Sequence, residues 1–208
     1  MIQKRDGIEN KLRGKVVWAA QLMYKKGYVI GTAGNISARI PGINQLLITP
    51  SGAPYETMHN EDVVLCDLEG NKIAGKLKPS SELSMHVGLY KARPEIEAII
   101  HTHSIYASAL AVNQTEIPFC LDEMYFSIGA NSIPVAKYGK SGSVELADNI
   151  VKAIGHKKKA VLMSNHGTVA IGLTMEEAFD ICEVIEKTAM IFTYAKLTGK
   201  INTLEKYY

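Results

Sequence analysis

The stretch Pro79–Ser104, PSSELSMHVGLYKARPEIEAIIHTHS, organises this chain. It opens on Ser80, Ser81 and Glu82 just ahead of an amphipathic run, and closes on His101 and His103 around a single threonine. Arg93-Pro94-Glu95 lies between them and reads as a turn, because proline cannot continue a helix. The pattern predicts a helix over Glu82–Ala92, with Leu83, Val87 and Tyr90 on one face, then an apolar β-branched strand over Ile96–Thr102. Residues two apart on a strand point to the same side, so His101 and His103 aim two imidazoles at one place.

Upstream, an amphipathic helix is expected over about Ile8–Lys26, with Leu12, Val16, Ala19, Ala20 and Met23 at helical spacing and Gly27 as a left-handed stop. GTAGNISARI (31–40) passes from small residues into alternation, Ile36 and Ala38 against Ser37 and Arg39, which reads as a loop feeding an edge strand. The Pro41-Gly42 turn leads into a second strand, Gln45–Thr49, forming a hairpin. Val63–Asp67 and Lys72–Ala74 make another about Leu68–Asn71.

Downstream, Ser104–Val112 is a short helix, Ile133–Ala136 a strand, and Val144–Ile154 a helix stopped by Gly155. Ala160–Met163 is a buried strand that runs through Ser164-Asn165-His166-Gly167 and on into Val169–Ile171. Thr174–Leu197 is the longest helix, opened by a Thr174/Glu177 capping box and closed by Gly199. Ile117–Ile133 gives little beyond a helical turn at Met124-Tyr125-Phe126. Hairpins interleaved with helices indicate an α/β sandwich around a mixed sheet, in one domain spanning residues 1–208.

Composition narrows the function classes. A net charge of +2 is too small to argue for nucleic acid or an anionic membrane. Cys66, Cys120 and Cys182 lie far apart and form no CxxC pair, which points to reduced thiols in the cytoplasm. No apolar run approaches the roughly 20 residues needed to span a bilayer, and the amino terminus lacks a signal-peptide core.

His166 ends a second buried strand, where Gly167 permits a sharp exit, so a third imidazole can join the first two. Three histidines suit zinc and leave a fourth position for water or substrate. Ser80 and Ser81, preceding a helix, can hold an anion with hydroxyls and free N–H groups, although an ordinary helix cap uses the same residue type. Gly31–Asn35 and Thr49–Gly52 are two further small-residue loops. Glu82 beside a dication is a proton carrier able to swing on and off the metal. Glu123 is a second candidate carboxylate. His59, His86 and His156 have no partner at ligand spacing and read as structural.

GTAGNIS, ITPSG, KPSSE, IIHTHS and NHG, in this order between about Leu12 and Leu197, resemble the class II aldolase/adducin family, most closely its fuculose-phosphate aldolase branch. The resemblance implies an α/β/α sandwich around a largely antiparallel sheet, assembled as a homotetramer with active sites between subunits. It implies that His101, His103 and His166 ligate zinc, that Glu82 is the catalytic acid/base and a further ligand in the empty site, and that Asn35, Ser51, Gly52, Ser80 and Ser81 hold a sugar phosphate. The implied reaction is reversible cleavage of a phosphorylated ketose to dihydroxyacetone phosphate and a small aldehyde. Glutamate at position 82, where the family's 4-epimerases have aspartate, favours cleavage.

One departure concerns the second proton. The family's aldolases place a tyrosine of the neighbouring subunit where Glu123 aligns here, and Tyr125 lies two residues on. The family's dehydratases have a glutamate before Met at that point but lack the paired serines. Glu123 and Tyr125 are therefore the candidates for the proton on the aldehyde oxygen. The aldolases' other tyrosine lies in the tail, where this chain ends in Tyr207-Tyr208. Adducin heads keep the fold without catalysis, a role against which the histidine triad argues.

Overall fold

The computed structural model describes residues 2–205, with side chains from Gly7 onward. Helix α1 (Ile2–Lys25) leads into β1 (Asn35–Arg39) and β2 (Gln45–Ile48). Two short 3-10 turns precede β3 (Val64–Asp67) and β4 (Lys72–Ala74). Then come α2 (Leu83–Ala92), β5 (Ala98–Thr102), α3 (Ile105–Val112), β6 (Ile117–Pro118), α4 (Asp122–Ile128), β7 (Ser132–Ile133) and β8 (Val135–Ala136). The chain continues through α5 (Val144–Ile154), β9 (Ala160–Met163), β10 (Gly167–Gly172) and α6 (Met175–Thr198).

Eight strands form one sheet in the order β4-β3-β2-β1-β5-β10-β9-β8, antiparallel throughout except for the β8–β9 pair. Strand alternation sorts its side chains into two cores. Ile36, Ala38, Leu47, Ala98, Ile100, Leu162 and Ala170 pack with α1, α3, α4 and α6. Leu46, Ile48, Ile99, Val161, Met163, Val169 and Ile171 pack with α2 and α5. This is the three-layer α/β/α arrangement around a mixed, largely antiparallel sheet. Each buried aliphatic side chain contributes about 1.5–3 kcal/mol, and two full layers offset the cost of the polar groups buried between β1 and α2.

Three expectations need correction. β1 is not an edge strand; it lies between β2 and β5, and Ser37 is fully buried. Its polar face looks at polar residues of α2 rather than at water. Ala160–Met163 does not run on into Val169–Ile171, because the chain reverses at Asn165 (φ 56) and β10 returns antiparallel to β9. Asparagine tolerates that left-handed backbone, and the His166 N–H closes the reversal on Met163 O at 3.0 Å. The strand expected over Ile133–Ala136 is two pieces: β7 pairs with β6 in a separate ribbon, and β8 joins the main sheet, with Pro134 between them.

Helix ends follow their local chemistry. Gly27 (φ 71) ends α1, and the Thr174 hydroxyl accepts the Glu177 N–H at the start of α6. Glu177 returns a carboxylate oxygen to the Leu173 N–H. At α3, where the Ser104 hydroxyl is buried without a partner, the Glu186 carboxylate of α6 accepts the N–H groups of Tyr106 and Ala107 instead. No helix among the described residues is long and apolar enough to cross a membrane.

Candidate active site

His101 and His103 leave the end of β5, and His166 stands in the β9–β10 reversal next to it. Their rings form a nearly equilateral triangle, with centroids 4.8, 4.9 and 5.0 Å apart and each pair edge-on. Glycine at 167 is required by this approach. A Cβ there would overlap the Thr102 carbonyl oxygen and lie 2.9 Å from His103 Cδ2. Gly34 is constrained in the same way from the β1 side, where a Cβ would fall 2.6 Å from the His101 carbonyl oxygen.

Glu82 closes the cluster. It sits at the N-cap of α2 with non-helical backbone (φ −100, ψ 20) and is 4 % exposed. Its Oε2 lies 3.1 Å from His101 Nε2, and its Oε1 3.6 Å from His166 Nε2. Asn35 Nδ2 donates to Oε2 and the Ser141 hydroxyl donates to Oε1, each at 3.0 Å. Burial acts to raise the Glu82 pKa, but the hydrogen bond and charge of His101, the Asn35 amide and His166 outweigh it and hold the carboxyl below its usual range. Burial, reinforced by neighbouring imidazoles, pushes His103 down to about 4 and lowers His166 as well. Glu82 opposes both shifts.

His101 Nδ1 bonds the Thr168 carbonyl oxygen at 2.9 Å, which fixes the ring and turns Nε2 into the cluster. That Nε2 then meets His103 Nε2 at 3.0 Å and a carboxylate oxygen at 3.1 Å. Two facing ring nitrogens beside an anion call for a positive charge among them. The donor set therefore fits a divalent cation, and His101, His103 and His166 each offer one ligand atom, all within 4.8 Å of one another.

The three small-residue loops meet around Thr49. Ile36 N–H donates to Thr49 Oγ1, and Thr49 N–H returns to the Ile36 carbonyl oxygen. An isolated bridge, Pro50 to Pro79, lays Ser51-Gly52 beside Ser80-Ser81. Ser80 is buried and its hydroxyl accepts the Glu82 N–H at 3.2 Å, so it caps the start of α2, whereas Ser81, Ser51 and Gly52 are exposed. A cleft of about 400 Å³ opens beside Ser81 and Gly142, with Glu69 and Asp148 on its wall.

The other candidates lie elsewhere. Glu123 is on α4, ion-paired to Lys187 of α6 at 2.6 Å. The half-buried Tyr125 ring packs edge-on against the exposed Phe126. Tyr207 and Tyr208 fall outside the described residues.

Two residues at the site were not anticipated. Ser141 carried a faint signal in the small-residue run Gly139–Ser143 ahead of α5, though that run also has an ordinary capping role through Ser143. His86, read as a structural histidine, bonds Asn35 and so stands one residue from Glu82. Its signal was the spacing Glu82, His86, Tyr90 on one helix face.

The sequence profile of the Class II Aldolase and Adducin N-terminal domain matches residues 14–193. The chain belongs to the class II aldolase and adducin family. A 5-methylthioribulose-1-phosphate/5-deoxyribulose-1-phosphate aldolase of Escherichia coli O45:K1 is 38% identical over 182 residues, covering 88% of this chain and 83% of that protein. An L-fuculose phosphate aldolase of Escherichia coli K12 is 34% identical over 183 residues, with the same coverage of 88% and 83%. A solved L-fuculose 1-phosphate aldolase superposes with a TM-score of 0.89 at 33% identity, over 94% of this chain and 91% of its own. In company with these aldolases, the chain is an enzyme of the lyase class.

Proposed function

We propose that the chain is a zinc-dependent aldolase that reversibly cleaves a ketose 1-phosphate such as L-fuculose 1-phosphate into dihydroxyacetone phosphate and a small aldehyde, here lactaldehyde. The observation that carries this reading is the placement of Glu82, whose carboxylate lies against the imidazole triangle while its backbone N–H is held by the Ser80 hydroxyl of the neighbouring loop. His101, His103 and His166 would hold the ion, with Glu82 as a further ligand before substrate arrives. A bound divalent cation supplies Lewis-acid stabilisation of charge developing at the ketose carbonyl, worth several kcal/mol.

The remaining steps belong to side chains. Ser51, Gly52, Ser80, Ser81 and Asn35 would anchor the phosphate, so that binding at the unreactive end orients the C3–C4 bond. On cleavage that bond breaks toward C3, and Glu82 delivers a proton there; in condensation it takes the proton back. The C4 hydroxyl proton leaves to Glu123 or Tyr125 of an adjoining subunit, which makes a homotetramer with sites between subunits part of the reading. The chain is taken as one domain working in the cytoplasm, without nucleic-acid or membrane partners.

A second substrate is favoured by the relative at 38% identity. That substrate is 5-deoxyribulose 1-phosphate or its 5-methylthio analogue, which would yield acetaldehyde or its methylthio derivative with the same triose phosphate. Pocket differences of a methyl or hydroxyl decide between these aldehydes. A panel of ketose 1- and 5-phosphates, incubated with the zinc-loaded protein and resolved by product, separates cleavage from 4-epimerisation, dehydration and an inert adducin-like scaffold. Absence of triose phosphate from every member of the panel would end the aldolase reading.

A further inference from the structure

Glu82 is the last member of a buried polar array joining β1 to α2. Asn35, Ser37 and Arg39 alternate on one face of β1, while Glu82, His86 and Tyr90 recur every fourth residue from the start of α2. The two spacings match, and the side chains interlock. Asn35 touches Glu82 at 3.0 Å and His86 Nε2 at 2.6 Å. Ser37 touches His86 Nδ1 at 2.6 Å and Tyr90 OH at 2.9 Å. The Arg39 guanidinium lies over the Tyr90 ring, 4.8 Å from its centroid. Ser37 and His86 are wholly inaccessible to solvent.

The carboxylate dictates the direction of every bond in this array. An ionised Glu82 only accepts, so Asn35 must turn its NH₂ toward it and its carbonyl oxygen toward His86. His86 must then carry its proton on Nε2. Shut off from solvent, with burial pushing its pKa down to about 3, the ring is neutral, and Nδ1 is an acceptor. The Ser37 hydroxyl donates to Nδ1 and in turn accepts from the Tyr90 hydroxyl. All donors thus run one way, from Tyr90 through Ser37, His86 and Asn35 to Glu82.

We propose that His86 is a positioning residue for proton transfer: through Asn35 it fixes the Glu82 carboxylate, while Ser141 holds the other oxygen. The proposal rests on Glu82 being the proton-transfer group of the aldolase. A histidine serving only as core filler would need its volume and some partner for each nitrogen. A positioning histidine needs the Nε2–H donor toward Asn35 in particular, and that difference is measurable.

Glutamine places an amide nitrogen near imidazole Nε2, whereas asparagine places one near Nδ1. His86→Gln therefore keeps the donor to Asn35, and His86→Asn keeps only the contact with Ser37. In the zinc-loaded full chain, His86→Asn lowers kcat by about 10–100-fold, the usual loss when an outer partner of a metal-site residue is removed. KM and zinc content stay near the parent's, and His86→Gln recovers kcat to within a few-fold. The substrates used are L-fuculose 1-phosphate and 5-deoxyribulose 1-phosphate. Independently, long-range proton–nitrogen NMR of the metal-free, ¹⁵N-labelled parent shows His86 as the Nε2–H tautomer. A parent that cleaves neither sugar phosphate sinks the aldolase reading and with it the catalytic meaning of the array. An Nδ1–H tautomer, or His86→Asn as active as His86→Gln in a parent that does turn over, overturns the positioning role alone.

Discussion

Asn35 stands directly opposite His101 in the β1–β5 ladder, so the amide and the imidazole that meet the same Glu82 oxygen leave neighbouring strands side by side. The register of the sheet thereby sets the geometry of the carboxylate. Asn35→Leu keeps the approximate shape but removes a donor from Glu82 and an acceptor from His86. A buried donor left unpaired costs about 1–3 kcal/mol. Urea unfolding should show a loss of that size, accompanied by a fall in kcat/KM of at least tenfold. A variant of parental stability and activity would mean that Asn35 carries neither bond in solution.

Gly167 and Gly199 make a controlled pair. Alanine at 167 drives a methyl into the Thr102 carbonyl and the His103 ring, whereas nothing lies within 4 Å of a Cβ at Gly199. Gly167→Ala should lower the midpoint of thermal unfolding sharply and reduce divalent-metal content. Gly199→Ala should leave both within error, its backbone being extended (φ 170). Equal behaviour of the two would contradict the close approach of β10 to β5.

Metal binding should be visible as stability. A ligand bound by the folded state alone at 100 times its Kd stabilises that state by about 2.7 kcal/mol. Dialysis of the parent against a chelator should therefore lower Tm and stop sugar-phosphate cleavage, and stoichiometric zinc should restore both. His103→Ala should already melt at the chelated temperature and gain nothing from zinc. A Tm insensitive to chelator in the parent would remove the ion from the cluster.

Acid should destabilise the metal-free protein. His103 and His86 titrate in the folded state near 4 and 3, below their ordinary 6.5, because burial penalises their charged forms. Between those values and 6.5 the unfolded chain binds more protons, so stability falls as pH is lowered through that window. Glu82, held below the usual carboxylate range, adds loss in the same direction at lower pH. Melts in chelator from pH 8 down to pH 4 should show a falling Tm, with a shallower slope in His86→Gln. A flat profile would contradict neutral, buried imidazoles.

Much of the fold was written in local pattern. Gly155, Gly27 and the Thr174/Glu177 pair mark helix ends that the structure has within a residue or so, because each acts through the backbone beside it. The His-x-His spacing likewise implied a shared face, since alternation along a strand is a local property. What escaped was non-local. Ser37 and Arg39 read as the wet side of an edge strand because their partners, His86 and Tyr90, lie some fifty residues away on a helix. The reversal at Asn165 was missed because a left-handed asparagine looks like any other loop residue in sequence. Glu123 was weighed as a catalytic group, and within the chain its near partner is Lys187, which no nearby residue announced.

The interlocking of β1 with α2 has a mechanical corollary. A helix seated through greasy side chains alone can creep along its axis by fractions of a turn with little penalty. One seated through matched hydrogen bonds has only discrete berths, about 5.4 Å apart. A step of one turn would bring His86 where Glu82 belongs and strand Asn35 between two wrong partners. Helix α2 is in this sense indexed, like a gear tooth in its notch, and Glu82 inherits that single setting.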